Sequence, residues 1–472
     1  MKPKLKLVFC IALPLLVWAI PTSRLGIDGL TVVEHRLIAI FVMALVFWIL
    51  EPIPLYATSL LIIFLELVLI SDKGFYLFMR GVDKEAMGPL LPYQDILATF
   101  ASPIIILFLG GFFLALAATK FQMDISLAKT LLRPFGTKPA HVLLGLMIVT
   151  AVFSMFMSNT ATTAMMLAVL APVLRSLHPG DRIRTAFVLA VPFAANIGGM
   201  GTPIGTPPNA ISLKYLAGAD AVGFSTWMSF AVPYVILLLA FLWGMLLISY
   251  KPQTAEIKVR IEGGFQKNWK SLTAAATFLI TILLWLLDFW HGMNSYIVAL
   301  IPVVVFSLTR IITAVDLRDI SWDVLWLMAG GIALGMGIER TGLAAHIIGG
   351  IEFSSYSPVF IVFLATLITV LMATFMSNTA TANLLLPLMA ILGTSVSSLA
   401  GLGGVRMIVL AVAFSSSLAM SLPVSTPPNA IAYAAGGIQT KEMFKTGALV
   451  GVVGLAALYL MMAVLRKVGF LG

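Results

Sequence analysis

The chain has 472 residues, of which 60% are hydrophobic and only 10% are charged. A soluble domain carries roughly 25% charged residues, and a disordered chain combines high charge with low hydrophobicity, so both classes are excluded. At about 20 apolar residues per crossing, the composition predicts an all-α polytopic membrane protein. The formal net charge of +9 makes the positions of the 29 Lys and Arg residues informative, and the single cysteine, Cys10, allows no internal disulfide.

Residues 1–35 contain the first predicted segment, an N-terminal transmembrane helix. A basic start followed by an apolar run to Ile20 is also typical of a signal peptide. A small-x-small cleavage site does not follow the run, because Pro21 and Thr22 come next. We therefore interpret the segment as a retained helix, with a cleaved signal peptide as the alternative.

Further apolar segments follow, separated by polar, Pro or Gly residues. Their ranges are 36–51, 53–71, 96–119, 141–177, 184–215, 227–250, 271–290, 295–313, 321–343, 356–400, 405–435 and 445–465. Segments 141–177 and 356–400 are too long for one crossing and contain Ser-Asn-Thr, so we expect two re-entrant hairpins. Segments 184–215 and 405–435 are interrupted by Gly or Pro-Pro and predict broken helices. The chain is thus expected to form about eleven transmembrane helices plus the two hairpins.

The distribution of basic residues predicts the orientation of the chain. With a cytoplasmic N-terminus and hairpins that leave on the side they enter, most of the 29 Lys and Arg residues face the cytoplasm. These include Lys2, Lys258 and Arg260. Treating 141–177 as a single crossing would put the basic residues of 251–270 outside, which the positive-inside rule disfavours. We therefore expect an integral protein of a bacterial inner membrane with its C-terminus outside.

Three pairs of sequence motifs recur at an offset of about 220 residues. They are Gly110-Gly111 with Gly330-Gly331, Phe-Met-Ser-Asn-Thr-Ala-Thr at 156–162 and 375–381, and Thr-Pro-Pro-Asn-Ala-Ile at 206–211 and 426–431. Matches in the same order indicate a duplicated unit, with repeats at 36–250 and 271–472 and a cytoplasmic linker at 251–270. An odd number of crossings per repeat places the repeats in opposite orientations, which is typical of secondary transporters. A duplicated channel or an inert scaffold is the alternative.

The repeated polar motifs have a chemistry suited to anions. In each triplet, Ser-Asn-Thr precedes a helix-capable stretch, so Ser or Asn is expected to cap a half-helix and leave its positive end free. Thr206 and Thr426 precede Pro-Pro in the same manner. Since the four motifs contain no charged residue, the site is expected to bind a charged substrate without charged side chains, which favours a small dianion with co-bound cations. A helix-packing cluster of polar residues is the alternative for each motif taken alone.

Motifs of enzymes and pumps are missing from the sequence, which has no HExxH site, no Gly-x-Ser-x-Gly elbow and no Walker loop. We therefore expect no catalytic residues, no ATP-driven pump and no cofactor other than coupling ions. Glu66 lies inside a predicted helix and is either a proton site or, as favoured by its predicted depth near the outer interface, a structural residue.

The paired Ser-Asn-Thr triplets and paired Thr-Pro-Pro-Asn loops resemble those of the divalent anion/sodium symporter family of di- and tricarboxylate transporters, from about residue 36 onward. The resemblance implies a homodimer in the lipid bilayer, each protomer with a scaffold domain and a transport domain that moves as an elevator. It also implies that the substrate carboxylates bind to Asn159, Thr160, Thr206, Pro207, Asn378, Thr379, Thr426 and Pro427.

The same resemblance implies two sodium sites. The first is expected to use Ser154, Ser158, Asn159 and the carbonyl of Gly205, and the second Ser377, Asn378 and the carbonyl of Ser425. One position departs from the pattern, because Ala373 stands where the first repeat has Ser154, with Thr374 beside it.

We therefore predict secondary active transport of C4-type dicarboxylates, such as succinate, malate or fumarate, driven by sodium. A sodium-independent dicarboxylate exchanger and a carrier of sulfate, tartrate, 2-oxoglutarate or citrate remain alternatives. An anion channel is disfavoured, because the sequence shows no continuous row of pore-lining polar residues.

Overall fold

The computed structural model describes residues 3–78, 80–178, 180–257, 264–350 and 353–471. Within these ranges the regular structure consists of α-helices and short 3₁₀ turns, apart from one isolated β-bridge between Ser71 and Leu91. The predictions for Lys2, Lys258 and Arg260 lie outside the described residues.

The first half of the chain contains helices α1 to α12. Their bounds are α1 Pro3–Ala19, α2 Val32–Leu50, α3 Leu55–Leu69, α4 Lys84–Met87, α5 Tyr93–Ala98, α6 Pro103–Lys120, α7 Met123–Leu132, α8 Pro139–Phe156, α9 Asn159–Ser176, α10 Ile183–Gly199, α11 Pro207–Tyr215 and α12 Phe224–Ser249.

The second half contains helices α13 to α24. Their bounds are α13 Trp269–Leu286, α14 Asp288–His291, α15 Ser295–Val298, α16 Leu300–Leu308, α17 Trp322–Arg340, α18 Leu343–Gly349, α19 Pro358–Phe375, α20 Asn378–Ser395, α21 Ser397–Ala400, α22 Gly404–Leu418, α23 Pro427–Ala434 and α24 Thr440–Lys467.

Many of these helices are suited to a membrane. In the part of the chain that the structure describes, 8 helices are long and apolar enough to cross one, and shorter apolar helices include α3, α10 and α22. The prediction of an all-α membrane protein is confirmed. The number of crossings and the opposite sense of the two repeats stay predictions.

Each segment that is too long for one crossing is a helical hairpin with a two-residue tip. Helices α8 and α9 are joined by Met157 and Ser158, and α19 and α20 by Met376 and Ser377. Every arm has 18 residues, or about 27 Å. The serine of each tip caps the second arm: Ser158 Oγ accepts a hydrogen bond from the N–H of Ala161, and Ser377 Oγ accepts one from that of Ala380, both at 3.1 Å.

The two broken helices are α10–α11 and α22–α23, and an asparagine stabilises each unwound break. Asn209 Nδ2 donates to the carbonyls of Gly199, Met200 and Thr202 at 3.2, 3.2 and 2.8 Å. Asn429 Nδ2 donates to two carbonyls of the second break at 2.8 and 3.0 Å. Carbonyls at a helix end lack intrahelical donors, so the asparagine of each Thr-Pro-Pro-Asn loop supplies the missing hydrogen bonds.

Helices of each half of the chain pack against helices of the other half, and each such pair has an equivalent pair with the two halves interchanged. Helix α6 packs on α16 while α17 packs on α3, and α11 packs on α20 while α23 packs on α9. The paired glycines permit this packing, because a Cβ at Gly110 would lie 2.3 Å from the carbonyl oxygen of Ala299 and one at Gly330 would lie 2.4 Å from Ser59 Cβ. This exchange agrees with a duplicated unit, and it encloses a cavity between the halves.

Candidate functional site

A cavity of about 480 Å³ lies where the tips of both hairpins and both broken helices meet. Its volume is within the range of small-molecule sites, about 300–1,000 Å³. The structure brings to this cavity all eight residues predicted to bind substrate. These are Asn159, Thr160, Thr206, Pro207, Asn378, Thr379, Thr426 and Pro427.

The first residues of four half-helices line the cavity. Helices α9, α20, α11 and α23 begin at Asn159, Asn378, Pro207 and Pro427, respectively. A helix N-terminus carries about +0.5 of an elementary charge together with N–H groups that have no intrahelical acceptor. Helices α9 and α20 offer such N–H groups, whereas α11 and α23 begin with two prolines, which have no N–H, and contribute the positive end of the dipole. Four such ends at one cavity provide an anion site without the use of basic side chains.

The first predicted cation site contains oxygen atoms that are close together behind the tip of the first hairpin. Ser154 is fully buried and its hydroxyl donates to Asn159 Oδ1 at 2.5 Å. Gly199 packs against this group, because a Cβ there would lie 2.5 Å from Asn159 Oδ1 and 2.9 Å from the carbonyl oxygen of Gly205. Hydroxyl, amide and carbonyl oxygens of this kind suit a hard cation such as sodium. Ser158 lines the cavity beside them.

The second predicted cation site lacks the side-chain hydroxyl that Ser154 supplies in the first. Ala373 is fully buried where the first repeat has Ser154, and among the described residues Asn378 Oδ1 is buried with no hydrogen-bond partner. Thr374 does not replace the missing hydroxyl, because its Oγ1 donates to the Val370 carbonyl of its own helix at 2.7 Å. Its main-chain oxygen accepts from Ser425 Oγ at 2.9 Å.

Ser377 and Ser425 both line the cavity beside Asn378. The three predicted residues thus lie together, and the hydroxyl that Ser154 supplies in the first repeat has no counterpart among them. In the described part of the chain no group of three or more His, Cys, Asp or Glu residues could hold a metal ion.

Asn196, on α10, is a cavity residue that the motifs did not predict. Its Nδ2 donates to Thr426 Oγ1 and to Asn429 Oδ1, each at 3.1 Å, and so connects the two broken helices. The equivalent residue of the second repeat, Ser416, donates instead to the Val412 carbonyl one turn earlier in α22. A comparison of the aligned repeats at this position would have shown the difference.

The threonines of the two Thr-Pro-Pro-Asn loops, Thr206 and Thr426, differ in their hydrogen bonds. Thr426 Oγ1 accepts from the N–H of Asn429 at 3.3 Å and thereby caps α23, whereas Thr206 occupies the cap position of α11 without a side-chain cap bond. Both threonines are nearly buried. The predicted capping is therefore correct for the second repeat and wrong for the first.

Asp323 is the one charged residue among the described residues that line the cavity. It lies in the first turn of α17, where a carboxylate is stabilised by the helix dipole, and it is exposed. The four motifs contain no charged residue, and Asp323 adds one carboxylate to the cavity wall. Apolar side chains complete this wall, among them Leu55, Phe108 and Leu327.

A duplicated set of membrane helices with four half-helix ends around one cavity defines a class of protein, the secondary transporters. Residues 2–468 match the family model for the sodium:sulfate symporter transmembrane region. The chain belongs to this family of transporters and is not an enzyme, in agreement with the resemblance seen in its sequence.

Named relatives are similar over most of the chain. The sodium-dependent dicarboxylate transporter SdcS of Staphylococcus saprophyticus is 31% identical over 453 residues, which is 88% of this chain and 82% of that protein. The transporter of the same name from Staphylococcus aureus strain NCTC 8325 is 31% identical over 442 residues, 85% of this chain and 80% of that protein.

A solved structure shares the fold. The YdaH transporter of Alcanivorax borkumensis, whose crystal structure is described as having an unusual topology, superposes with a TM-score of 0.56. The match covers 89% of this chain and 99% of that chain at 14% identity, so the likeness concerns the fold alone.

Proposed function

We propose that this chain is a secondary transporter that carries a small dicarboxylate, of the succinate, malate or fumarate type, together with sodium. The observation that carries the proposal is the meeting of both Ser-Asn-Thr tips and both Thr-Pro-Pro-Asn loops at one cavity. The names of the two staphylococcal relatives support the same substrate class and coupling ion.

The two ends of a dicarboxylate match the two repeats. Asn159 and Thr160 bind one carboxylate and Asn378 and Thr379 the other, since these pairs belong to opposite hairpins that line one cavity. Thr206 and Thr426, with Pro207 and Pro427 after them, bind the same carboxylates from the broken helices. Charge-assisted hydrogen bonds from N–H and O–H groups to a carboxylate are about twice as strong as neutral ones.

Sodium ions bind next to the tips and offset the charge of the dianion. The first ion is held by Ser154, Ser158, Asn159 and the Gly205 carbonyl. The second ion is held by Ser377, Asn378 and the Ser425 carbonyl. The donors in the motifs are neutral and Asp323 adds a negative charge to the wall, so a bound dianion needs cations nearby.

Alternating access is proposed to occur by an elevator motion within a homodimer. The hairpins and broken helices, which hold the substrate, would move together against α2, α3, α6, α13, α16 and α17. We also propose that residues 36–250 and 271–472 form the two inverted repeats, that residues 251–270 form a cytoplasmic linker, and that the N-terminus is cytoplasmic. After Cys10→Ser, single cysteines placed in the loop after α9 and in the loop after α20 should be labelled from opposite sides of the membrane, and labelling from one side would contradict the inverted repeats.

Reconstituted protein tests the transport proposal. Liposomes containing the purified chain should accumulate labelled succinate when sodium is outside, and replacement of sodium by potassium should remove the accumulation. Uptake of the same extent in both salts would contradict symport. Unlabelled sulfate, tartrate, 2-oxoglutarate and citrate, added in turn as competitors, would rank the anions that the site accepts.

A sodium-independent exchanger is the second candidate, favoured by one observation. Ala373 leaves the second cation site a hydroxyl short, so that Asn378 Oδ1 has no partner among the described residues. An exchanger should give little uptake into empty vesicles and strong uptake into vesicles preloaded with a dicarboxylate. An anion channel would instead show conductance far above carrier turnover and no accumulation against a gradient.

A further inference from the structure

Glu66 is a buried carboxyl group that the candidate site does not use. The residue lies on α3, is 0% exposed, and has no hydrogen-bond partner among the described residues at either side-chain oxygen. Helix α17 packs against it, and a Cβ at Gly337 would lie 3.0 Å from Glu66 Oε1. An ionised carboxylate without donors in such surroundings is strongly unfavourable, and the neutral acid costs much less.

Lys214, at the C-terminal end of α11, is a basic residue that contacts the same helix, α17, as Glu66 does. Its ammonium group is bonded elsewhere, because Nζ donates to the Ile332 carbonyl of α17 at 2.9 Å. Tyr215 follows it and also lies against α17, since a Cβ at Gly335 would lie 2.3 Å from the Tyr215 hydroxyl. The cation therefore lies near the carboxyl group without donating a hydrogen bond to it.

The other charged groups on the helices packed around Glu66 are bonded to partners other than Glu66. On α17, Arg340 Nη1 donates to Asp95 on α5, and Glu339 is exposed. On α2, Arg36 donates to the Leu69 carbonyl at 2.8 Å, and Glu34 pairs with His346 at 2.7 Å. None of these groups donates a hydrogen bond to Glu66, so an ionised carboxylate there would have no bonded cation among the described residues.

We propose that Glu66 is a proton-binding site, occupied by a proton in this conformation and ionised only when Lys214 Nζ donates to its carboxylate. The proton then leaves to water, and the ammonium group offsets the negative charge. Helix α11 begins at Pro207 in the candidate site and ends next to Lys214, about 12 Å along the helix. Occupancy of the proton site is thereby tied to the position of α11, whatever substrate the cavity accepts.

Infrared difference spectroscopy tests the proposal directly. The full chain in lipid nanodiscs is compared with Glu66→Gln at pH 7, and the carbonyl-stretch band of a protonated carboxylic acid is expected in the wild type and not in the variant. Glu339→Gln is the matched control, because Glu339 is exposed and its replacement leaves the band in place. Identical spectra of wild type and Glu66→Gln in this region would overturn the proposal.

The part played by Lys214 is tested by Lys214→Met. Removal of the neighbouring cation disfavours the carboxylate, so the band should persist to a pH about one unit or more above that at which the wild type loses it. An unchanged titration would overturn the pairing of Lys214 with Glu66. Should Glu66→Gln fail to fold, Glu66→Asp keeps a carboxyl group and should displace the band in frequency, and an undisplaced band would contradict the assignment.

Discussion

At the scale of single residues, the asymmetry between the two repeats carries the most information. Asn196 reaches across to Thr426 and Asn429, whereas its counterpart Ser416 bonds only within its own helix. Ser154 bonds to Asn159, whereas Ala373 offers nothing to Asn378. The duplicated sequence therefore builds two half-sites that have the same order of helices but different polar partners.

Asn196→Ala should weaken substrate binding through Thr426. The change removes hydrogen bonds worth about 1 kcal/mol each, so KM for the transported dicarboxylate should rise about fivefold to thirtyfold with a smaller effect on the maximal rate. Ser416→Ala is the matched control and should leave KM unchanged. The check is the concentration dependence of uptake, and equal KM values for both variants would show that Asn196 does not position Thr426.

Ala373→Ser should complete the second cation site. A hydroxyl at this position can donate to Asn378 Oδ1 as Ser154 does to Asn159 Oδ1 at 2.5 Å, and it adds an oxygen for the ion. The sodium concentration for half-maximal uptake should fall severalfold. Thr374→Val serves as the control, because that hydroxyl bonds to Val370. An unchanged sodium dependence in Ala373→Ser would exclude this position from the site.

At the scale of helices, some residues outside the candidate site serve to let helices pack closely or to hold a loop in place. Gly110 and Gly330 allow α6 and α17 to approach helices of the other repeat. Asp181, between α9 and α10, holds the start of the linker: it accepts hydrogen bonds from the N–H groups of Gln253 and Thr254, and from the Thr254 hydroxyl at 2.7 Å.

Gly330→Ala should destabilise the fold. Its Cβ would overlap Ser59, and overpacking of this kind costs about 1–3 kcal/mol. Gly244→Ala on α12 is the matched control, since nothing lies within 4 Å of a Cβ there, and it should be neutral or slightly stabilising. Thermal unfolding in detergent measures both variants. Equal midpoints for the two would contradict the close approach of α17 to α3.

Asp181→Asn should loosen the linker and remove a pH dependence of stability. Burial acts to raise the pKa of Asp181, but the hydrogen bonds from Thr254, Ile183 and Gln253 outweigh it and hold the pKa below its usual range. The carboxylate thus stabilises the fold above the unfolded-state pKa of about 4, and this contribution is lost as the pH falls through the folded-state pKa. The free energy of unfolding of the variant should be lower by on the order of 1–3 kcal/mol at pH 7, and by less at pH 3. Protection of residues 251–257 from hydrogen exchange provides the measurement, and unchanged protection at pH 7 would refute the anchoring.

At the scale of the whole molecule, the sequence predicts much of the fold and of the candidate site. Apolar runs locate the helices, and repeated motifs locate the hairpin tips and breaks, because caps, Pro-Pro and glycines act locally. Asn196 and Asp323 were missed, since each reaches the cavity only through contacts between distant segments and has no local pattern. The role of Asn209 and Asn429 in bonding the unwound carbonyls is likewise visible only in three dimensions.

The central claim is that both hairpin tips bind one dicarboxylate together with sodium. Uptake of labelled succinate into liposomes under an inward sodium gradient tests this claim most directly, for wild type, Asn159→Ala and Asn378→Ala side by side. Since each substitution removes charge-assisted hydrogen bonds worth about 1.5–3 kcal/mol, uptake should fall at least tenfold in each variant while the protein stays folded by size exclusion. Sodium-driven accumulation by the wild type with this loss in both variants is the predicted result. Wild-type uptake in both variants would contradict the account.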